Sequence, residues 1–527
     1  MRLVDDIVAM GEARPDAVMI EVLDAAPGAR RSYRWREVLD AVSALRCLLV
    51  GLEGEAGRGL RVGLVMANSP EWVAADLALW LGGAVEVPIP LAFSAEQARH
   101  LLEQVDLCLV DGPGRSRLRA WAEAGVAAPR CLPVDVDALG RRGGPRDLTP
   151  RRRDDVVCKI IHTSGTTSAP KGVKIRAHGV ADLVGALRRK VPPGTYARYL
   201  SIVPLSLLIE QVTGIYMTLS DGGTLVLLSP PSLLLGTPGT TAKAILPYLR
   251  IARPSAMTLP PAMVEAIDRF CQEADIVDKE GEALFQALFG RDEPAFLACG
   301  GAPIAPDVLL RLARRDIPVH EGYGLSENSS VATWNAPGAV KIGTVGRPLG
   351  HVEVKLGADG ELLIRSSSLF AGYTAADPSS CAVDAEGWLY TGDLAEIDGD
   401  GFVRITGRKK SLIITASGRN VSPAWVEARY KSLDFVEEAV IFGDRLERIH
   451  GLFIVEERAD LDAARAAIDA FGRRNLSEVE RAAEIVVLRS APELYRHCFT
   501  ITGRPIRAEL WKRMTLELGL EEMPCPA

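Results

Sequence analysis

Several patterns that would each announce a class of protein are missing from this chain of 527 residues. Its nine cysteines are scattered without a Cys-x-x-Cys pair, and its seven histidines are equally dispersed. That spacing argues against a zinc site and against a disulfide frame, and predicts free thiols in a reducing, cytoplasmic setting. A basic surplus is missing too: the formal net charge is −7, whereas neutralising nucleic-acid phosphates needs a positive surface. The tight run Arg151-Arg152-Arg153 is followed at once by Asp154-Asp155, as in a solvated linker. Leu200 to Met217 is the stretch most like a membrane span. Pro204, Glu210 and Gln211 interrupt it, as expected of a core or pocket wall. Asp5, Asp6 and Glu12 fall where a secretion signal would be apolar. There is no Gly-x-Ser-x-Gly elbow, which argues against a serine hydrolase.

What is present reads as a globular protein too long for one core, hence two or more domains. Apolar runs such as Arg61 to Met66 alternate with helix-like stretches such as Pro70 to Leu81, the pattern of strand–helix units around a parallel sheet. Residues 128–153, rich in Pro, Gly and Arg, read as a surface connection. A second set of strand–helix units is expected from about 180 to 340. Between 341 and 405 short strands (Val352–Leu356, Glu361–Arg365, Phe402–Thr406) alternate with Gly/Asp turns, predicting a small β-rich subdomain. The expected fold class is α/β: a large N-terminal domain over residues 1–407, then a small α+β domain over residues 408–527.

Thr163-Ser164-Gly165-Thr166-Thr167-Ser168-Ala169-Pro170-Lys171-Gly172 carries the most chemistry. Five hydroxyls, two glycines and a lysine lie between an apolar run (Val156 to Ile161) and a helix-like segment near His178. A strand feeding such a turn can wrap phosphates: glycines permit close backbone approach, and N–H groups, hydroxyls and lysine donate. The order differs from a Walker loop, because Lys171 precedes the second glycine and no Ser or Thr follows it. Taken alone, the segment is equally readable as a Ser/Thr/Gly linker.

Three motifs follow in order: Gly322-Tyr323-Gly324-Leu325-Ser326-Glu327, Tyr390-Thr391-Gly392-Asp393-Leu394 and Gly407-Arg408-Lys409-Lys410. With the first loop, they resemble the AMP-forming adenylating superfamily of acyl-CoA synthetases, peptide-synthetase adenylation domains and firefly-type luciferases. The resemblance runs from about Val18 to Arg507. It implies an ATP- and magnesium-dependent ligase of acid and thiol whose small C-terminal domain swings between two half-reactions. It also implies roles. Thr163, Ser164, Gly165, Thr166, Thr167 and Lys171 would hold the β- and γ-phosphates. Tyr323 and Gly324 would meet adenine opposite Gly301, Ala302 and Pro303, though a core tyrosine is the plainer alternative for Tyr323. Glu327 would associate with magnesium, and Ser326 keeps the hydroxyl of the more usual threonine. Asp393 would accept from the ribose hydroxyls, with Arg408 on ribose or phosphate. Lys410 would be the hinge, and Gly418 the point where a thiol arm passes the backbone.

The sequence departs from the superfamily pattern near its end. In Thr500-Ile501-Thr502-Gly503-Arg504-Pro505-Ile506-Arg507, Arg504 stands in the slot of the lysine that bridges carboxylate and α-phosphate. Arginine keeps the charge but not the point geometry. Arg504 substitutes directly, or Arg507 or Lys512 takes over, or the chain is a relative that binds nucleotide or acyl-AMP with weak or no turnover. In the segment implied to line the acyl pocket (Leu205, Leu207, Glu210), no carboxylate precedes Glu210 to balance a substrate ammonium. That suits a fatty or other hydrophobic acid, since a buried unpaired ammonium is costly. The Leu-rich, Glu-bearing pattern also looks like medium- and long-chain synthetases of fatty acid metabolism. The thiol is that of coenzyme A or of phosphopantetheine on a separate acyl carrier protein.

Overall fold

The computed structural model describes residues 2–24, 29–50, 52, 59–142, 146–151, 156–163, 171–229, 234–235, 240–273, 275–375, 381–417, 419–499, 505–519 and 525. Two large sheets dominate. The first has six strands in the spatial order Arg130–Pro133, Leu107–Val110, Arg61–Val65, Val85–Pro88, Val157–Thr163 and Lys171–Arg176. Its pairs are parallel except the last, a hairpin with Thr163 opposite Lys171. The second has nine strands, with a parallel centre (Val319–Leu325, Phe296–Cys299, Ala256–Leu259, Arg198–Leu200, Thr224–Leu228, Val18–Leu23) and antiparallel ends.

Local chemistry sets the elements. Helix Pro70–Gly82 starts where the Ser69 hydroxyl accepts from the Trp72 N–H, with proline in the first turn, and ends at Gly83 in the left-handed conformation. It is buried on almost every face, which is why it is nearly all apolar. Its one acidic residue in the interior, Asp76, joins a buried cluster. Lys159 donates to Asp76 and to Glu86, the Tyr216 hydroxyl donates to Asp76 (2.8 Å), and Gln211 Nε2 donates to Glu86 (3.1 Å). A buried ammonium is tolerable only with such partners.

A four-stranded antiparallel sheet (Val352–Leu356, Glu361–Ser366, Leu389–Ile397, Val403–Arg408) follows the two large sheets. Beyond it lie a two-stranded sheet (Ile413–Ile414, Asn420–Val421) and a three-stranded one (Val436–Phe442, His450–Val455, Glu484–Arg489) with helices. The last sheet has its own apolar clusters on its two faces. The C-terminal residues touch helix Pro261–Cys271 through Lys431, which pairs with Glu265 at 3.5 Å and Glu438 at 3.2 Å, and through Arg269, which donates to the Val436 carbonyl at 3.1 Å.

The structure departs from expectation within 128–153. That stretch contains the edge strand Arg130–Pro133 and a short helix, Val136–Gly140, capped by Asp135. An edge strand with only one face against the sheet needs little apolar pattern, so composition hid it. Among the described residues no helix is long and apolar enough to cross a membrane; Gln211–Met217 within the suspect stretch is a fully buried π-helical segment.

Candidate active site

The candidates from Gly301 to Glu327 lie at the carboxyl ends of two neighbouring strands of the second sheet. There, strand Phe296–Cys299 leads into Gly300 and Gly301, and Val319–Leu325 runs into the turn Ser326–Asn328. Ligands of open α/β sheets favour that edge. Gly301 has φ +96°, and Ala302 and Pro303 beside it are exposed, leaving an open ledge. Gly324 has no room for a side chain: a Cβ would fall 1.6 Å from the Ser330 carbonyl oxygen of the neighbouring strand. This close pairing carries strand Val319–Leu325 to the turn that presents Ser326 and Glu327, both half-buried.

Tyr323, Asp393 and Arg408 form one constellation. The Tyr323 hydroxyl donates to Asp393 Oδ2 at 2.6 Å, and Arg408 Nε lies 3.0 Å from Asp393 Oδ1. Burial first, then the Asp393 carboxylate, pushes the Tyr323 phenol well above its ordinary range, so it stays a donor. The Tyr390–Leu394 motif, readable as a turn, lies inside strand Leu389–Ile397. Its register sets Asp393 directly opposite Arg408, with an irregularity just beyond Leu394.

Glu327 is held by a residue the sequence did not single out. The Tyr373 hydroxyl donates to Glu327 Oε1 at 2.7 Å, and the Phe370 N–H donates to the Glu327 carbonyl at 2.9 Å. The same segment clasps the strand leaving the phosphate-loop candidate: Thr374 N–H donates to the Gly172 carbonyl at 2.8 Å, and Val173 bridges Tyr373. Cys381 sits between the two constellations. Its N–H donates to the Tyr373 hydroxyl at 3.2 Å. Its thiol is pushed up to about 11 by burial and Glu327, with Asp393 adding and Arg408 opposing. Its Sγ donates to the carbonyl of Thr391, two residues before Asp393, at 3.7 Å. No signal short of the fold could have nominated Tyr373 or Cys381, because their partners lie far away in sequence.

Magnesium takes one or two carboxylates and completes its shell with phosphates and water. The half-buried Glu327, with one oxygen on Tyr373 and the unpartnered buried Asn328 Oδ1 beside it in sequence, fits that sparse mode. A dedicated cage does not: no group of three or more His, Cys, Asp or Glu forms among the described residues.

The implied acyl wall is tightly braced. Leu205 is buried, its N–H donating to Asn68 Oδ1 and its carbonyl accepting from Gln211 Nε2, both at 2.8 Å. Leu207 is half-buried. Glu210 is fully buried and accepts from the Tyr199 hydroxyl at 3.0 Å; burial raises its carboxyl to about 8. A carboxyl that is neutral near pH 7 is no counter-charge for an ammonium. The Lys159 cluster reaches this wall through Gln211 and so ties it to the strand that enters the phosphate loop.

Lys171 is half-buried at the start of its strand, across from Thr163. Lys410 is exposed in the single turn Lys409–Ser411, whose Lys409 pairs with Asp359 (2.6 Å) and Glu361 (2.8 Å). The Thr163 side chain, Ser164, Gly165, Thr166, Thr167, Gly418 and Arg504 lie outside the described residues. Of the two alternatives to Arg504, Arg507 pairs with Glu427 (2.5 Å) and Lys512 with Glu509 (2.8 Å).

Comparison with known proteins identifies the family. The family model described as AMP-binding enzyme matches residues 9–374. Long-chain-fatty-acid–CoA ligase FadD15 of Mycobacterium bovis is 28% identical over 479 residues, 80% of this chain and 77% of that one. The 3-[(3aS,4S,7aS)-7a-methyl-1,5-dioxo-octahydro-1H-inden-4-yl]propanoyl:CoA ligase of Mycobacterium tuberculosis is 28% identical over 479 residues, 85% of this chain and 88% of that one. Among solved structures, the anthranilate CoA ligase AuaEII in complex with anthranoyl-AMP superposes with a TM-score of 0.80 at 18% identity, covering 98% of each chain. The chain belongs to the AMP-binding enzyme family.

Proposed function

We propose that this protein activates a hydrophobic carboxylic acid with ATP, releasing pyrophosphate, and passes the acyl group from AMP to the thiol of coenzyme A. The observation that carries the reading is the convergence of Tyr323, Asp393 and Arg408 with Glu327 and Tyr373 around Cys381, at the strand edge where ligands of such sheets bind. Membership in the family and relatives named as CoA ligases support it.

Both reactants are anions, so the residues act by positioning and charge neutralisation. Asp393, which already holds Tyr323 and Arg408, would accept from the ribose hydroxyls, with Tyr323 beneath the base and the Gly301–Pro303 ledge across from it. Glu327 would hold magnesium, which supplies counter-charge to the phosphates. Lys171 and the hydroxyls of Thr163, Ser164, Thr166 and Thr167 would neutralise the departing pyrophosphate. Ser326 would donate to the AMP phosphate. Arg504 would hold the carboxylate against the α-phosphate, a two-oxygen grip that a guanidinium makes well. Residues 408–527 would then turn about Lys410 so that the thiol arm passes Gly418.

The neutral, buried Glu210 and the apolar Leu205 and Leu207 support an uncharged acyl group over an amino acid. The test is acid-dependent pyrophosphate release across fatty, ring-bearing and amino acids of graded size, with coenzyme A added or withheld. Release with hydrophobic acids, and thioester formation on adding coenzyme A, is expected. Release only with amino acids would overturn the substrate reading, and thioester formation only on a carrier protein would overturn the acceptor.

A further inference from the structure

Outside the nucleotide site, two cysteines that composition alone marks as scattered are brought together by the first sheet. Cys108 lies in strand Leu107–Val110 and Cys131 in the edge strand Arg130–Pro133, and the parallel register sets them directly opposite each other. Opposed residues of neighbouring strands point to the same face, and such strands lie about 4.8 Å apart, inside the roughly 4.4–6.8 Å Cα separation that a disulfide spans. The Cys131 thiol donates to the Pro129 carbonyl at 3.2 Å. The two thiols differ in every property that matters for oxidation. Cys108 is fully buried, and the neighbouring Cys131 thiol, then burial, pushes its own thiol up. Cys131 is exposed, and the neighbouring Cys108 thiol draws its own thiol down to about 7. An exposed thiol that ionises readily, set directly opposite a second thiol in the sheet, is the arrangement of an attacking and a resolving cysteine.

We propose that Cys108 and Cys131 form a reversible oxidation site that closes a cross-strand disulfide when a peroxide reaches Cys131. The Cys131 thiolate attacks the peroxide, the O–O bond breaks, and Cys131 becomes a sulfenic acid while hydroxide leaves and takes a proton to give water. The Cys108 sulfur then displaces the sulfenic oxygen. The S–S bond forms, the S–O bond breaks, and the Cys108 proton leaves with that oxygen as a second water. Two thiols are oxidised by two electrons in all, and the peroxide is reduced. The edge position favours the closure, because among the described residues strand Arg130–Pro133 has a neighbouring strand on one side only. A thiol reductant reverses the step by exchange.

This site is independent of the nucleotide reading, and its test needs no catalysis. The whole protein is treated with a small excess of hydrogen peroxide, quenched, alkylated in denaturant and mapped without reduction. A peptide linked through Cys108 and Cys131 is expected, lost on treatment with dithiothreitol, while exposed Cys47 serves as the unpaired reference. In Cys108→Ser, Cys131 is expected to stop at a sulfenic acid that dimedone traps. Two results would overturn the proposal: Cys131 in the wild-type protein reacting no faster than Cys47, or Cys131 passing to sulfinic acid while Cys108 remains alkylatable.

Discussion

Single side chains separate the roles assigned here. Asp393→Ala removes the acceptor shared by Tyr323 and Arg408 and proposed for the ribose. A charge-assisted hydrogen bond contributes about 1.5–3 kcal/mol, so kcat/KM for ATP is expected to fall about 10- to 100-fold, mostly through KM. Steady-state kinetics at varied ATP checks this; an unchanged KM would remove Asp393 from the nucleotide. Arg504→Ala is expected to cripple acyl-AMP formation while sparing thioester formation from supplied acyl-AMP. Survival of both half-reactions would show that another group holds the carboxylate. Glu210 gives a pH signature. Its folded carboxyl titrates near 8, above the usual carboxylate range, so its contribution is fully present below about pH 4.5 and is lost as pH rises toward 8. Glu210→Gln keeps an acceptor for Tyr199 and cannot ionise. Chemical denaturation should therefore show the variant gaining on the wild type between pH 5 and 8, by on the order of a few kcal/mol. A difference independent of pH would mean that Glu210 ionises freely in the folded protein.

At the scale of elements, helix Pro70–Gly82 was legible because Ser69, Pro70, an apolar run and Gly83 agree in sequence. The strand Val157–Thr163 that leads to the hydroxyl-rich segment was legible because its residues are mostly apolar. Other elements were not. The π-helical turn Gln211–Met217 is buried on every side, so no amphipathic period marks it. The strand around Asp393 hid behind a Thr-Gly-Asp sequence that reads as a turn. Tyr373 and Cys381 meet Glu327, Asp393 and Arg408 only through tertiary contact. The junction between helix Pro261–Cys271 and the C-terminal residues was equally invisible, and it yields a prediction. Lys431 is nearly buried between Glu265 and Glu438. Lys431→Met leaves two close carboxylates without a cation, and breaking such a group typically costs about 3–5 kcal/mol. A lowered Tm and faster limited proteolysis between the large N-terminal part and the C-terminal sheet are expected. An unchanged digestion pattern would mean that the junction does not hold the two parts together.

Over the whole molecule, Tyr323, Asp393 and Arg408 come from three motifs far apart in sequence yet meet, and Tyr373 links Glu327 to the strand that begins at Lys171, a convergence that ordered spacing alone implied but could not place. The proposed chemistry requires one event there: an acid oxygen attacks the innermost phosphorus of ATP. Labelling the carboxyl group of an accepted acid with heavy oxygen and following a complete turnover to thioester tests that event directly. The label is expected to appear in the phosphate of AMP and in neither pyrophosphate nor inorganic phosphate. Label found in inorganic phosphate, with ADP as the nucleotide product, would contradict the account.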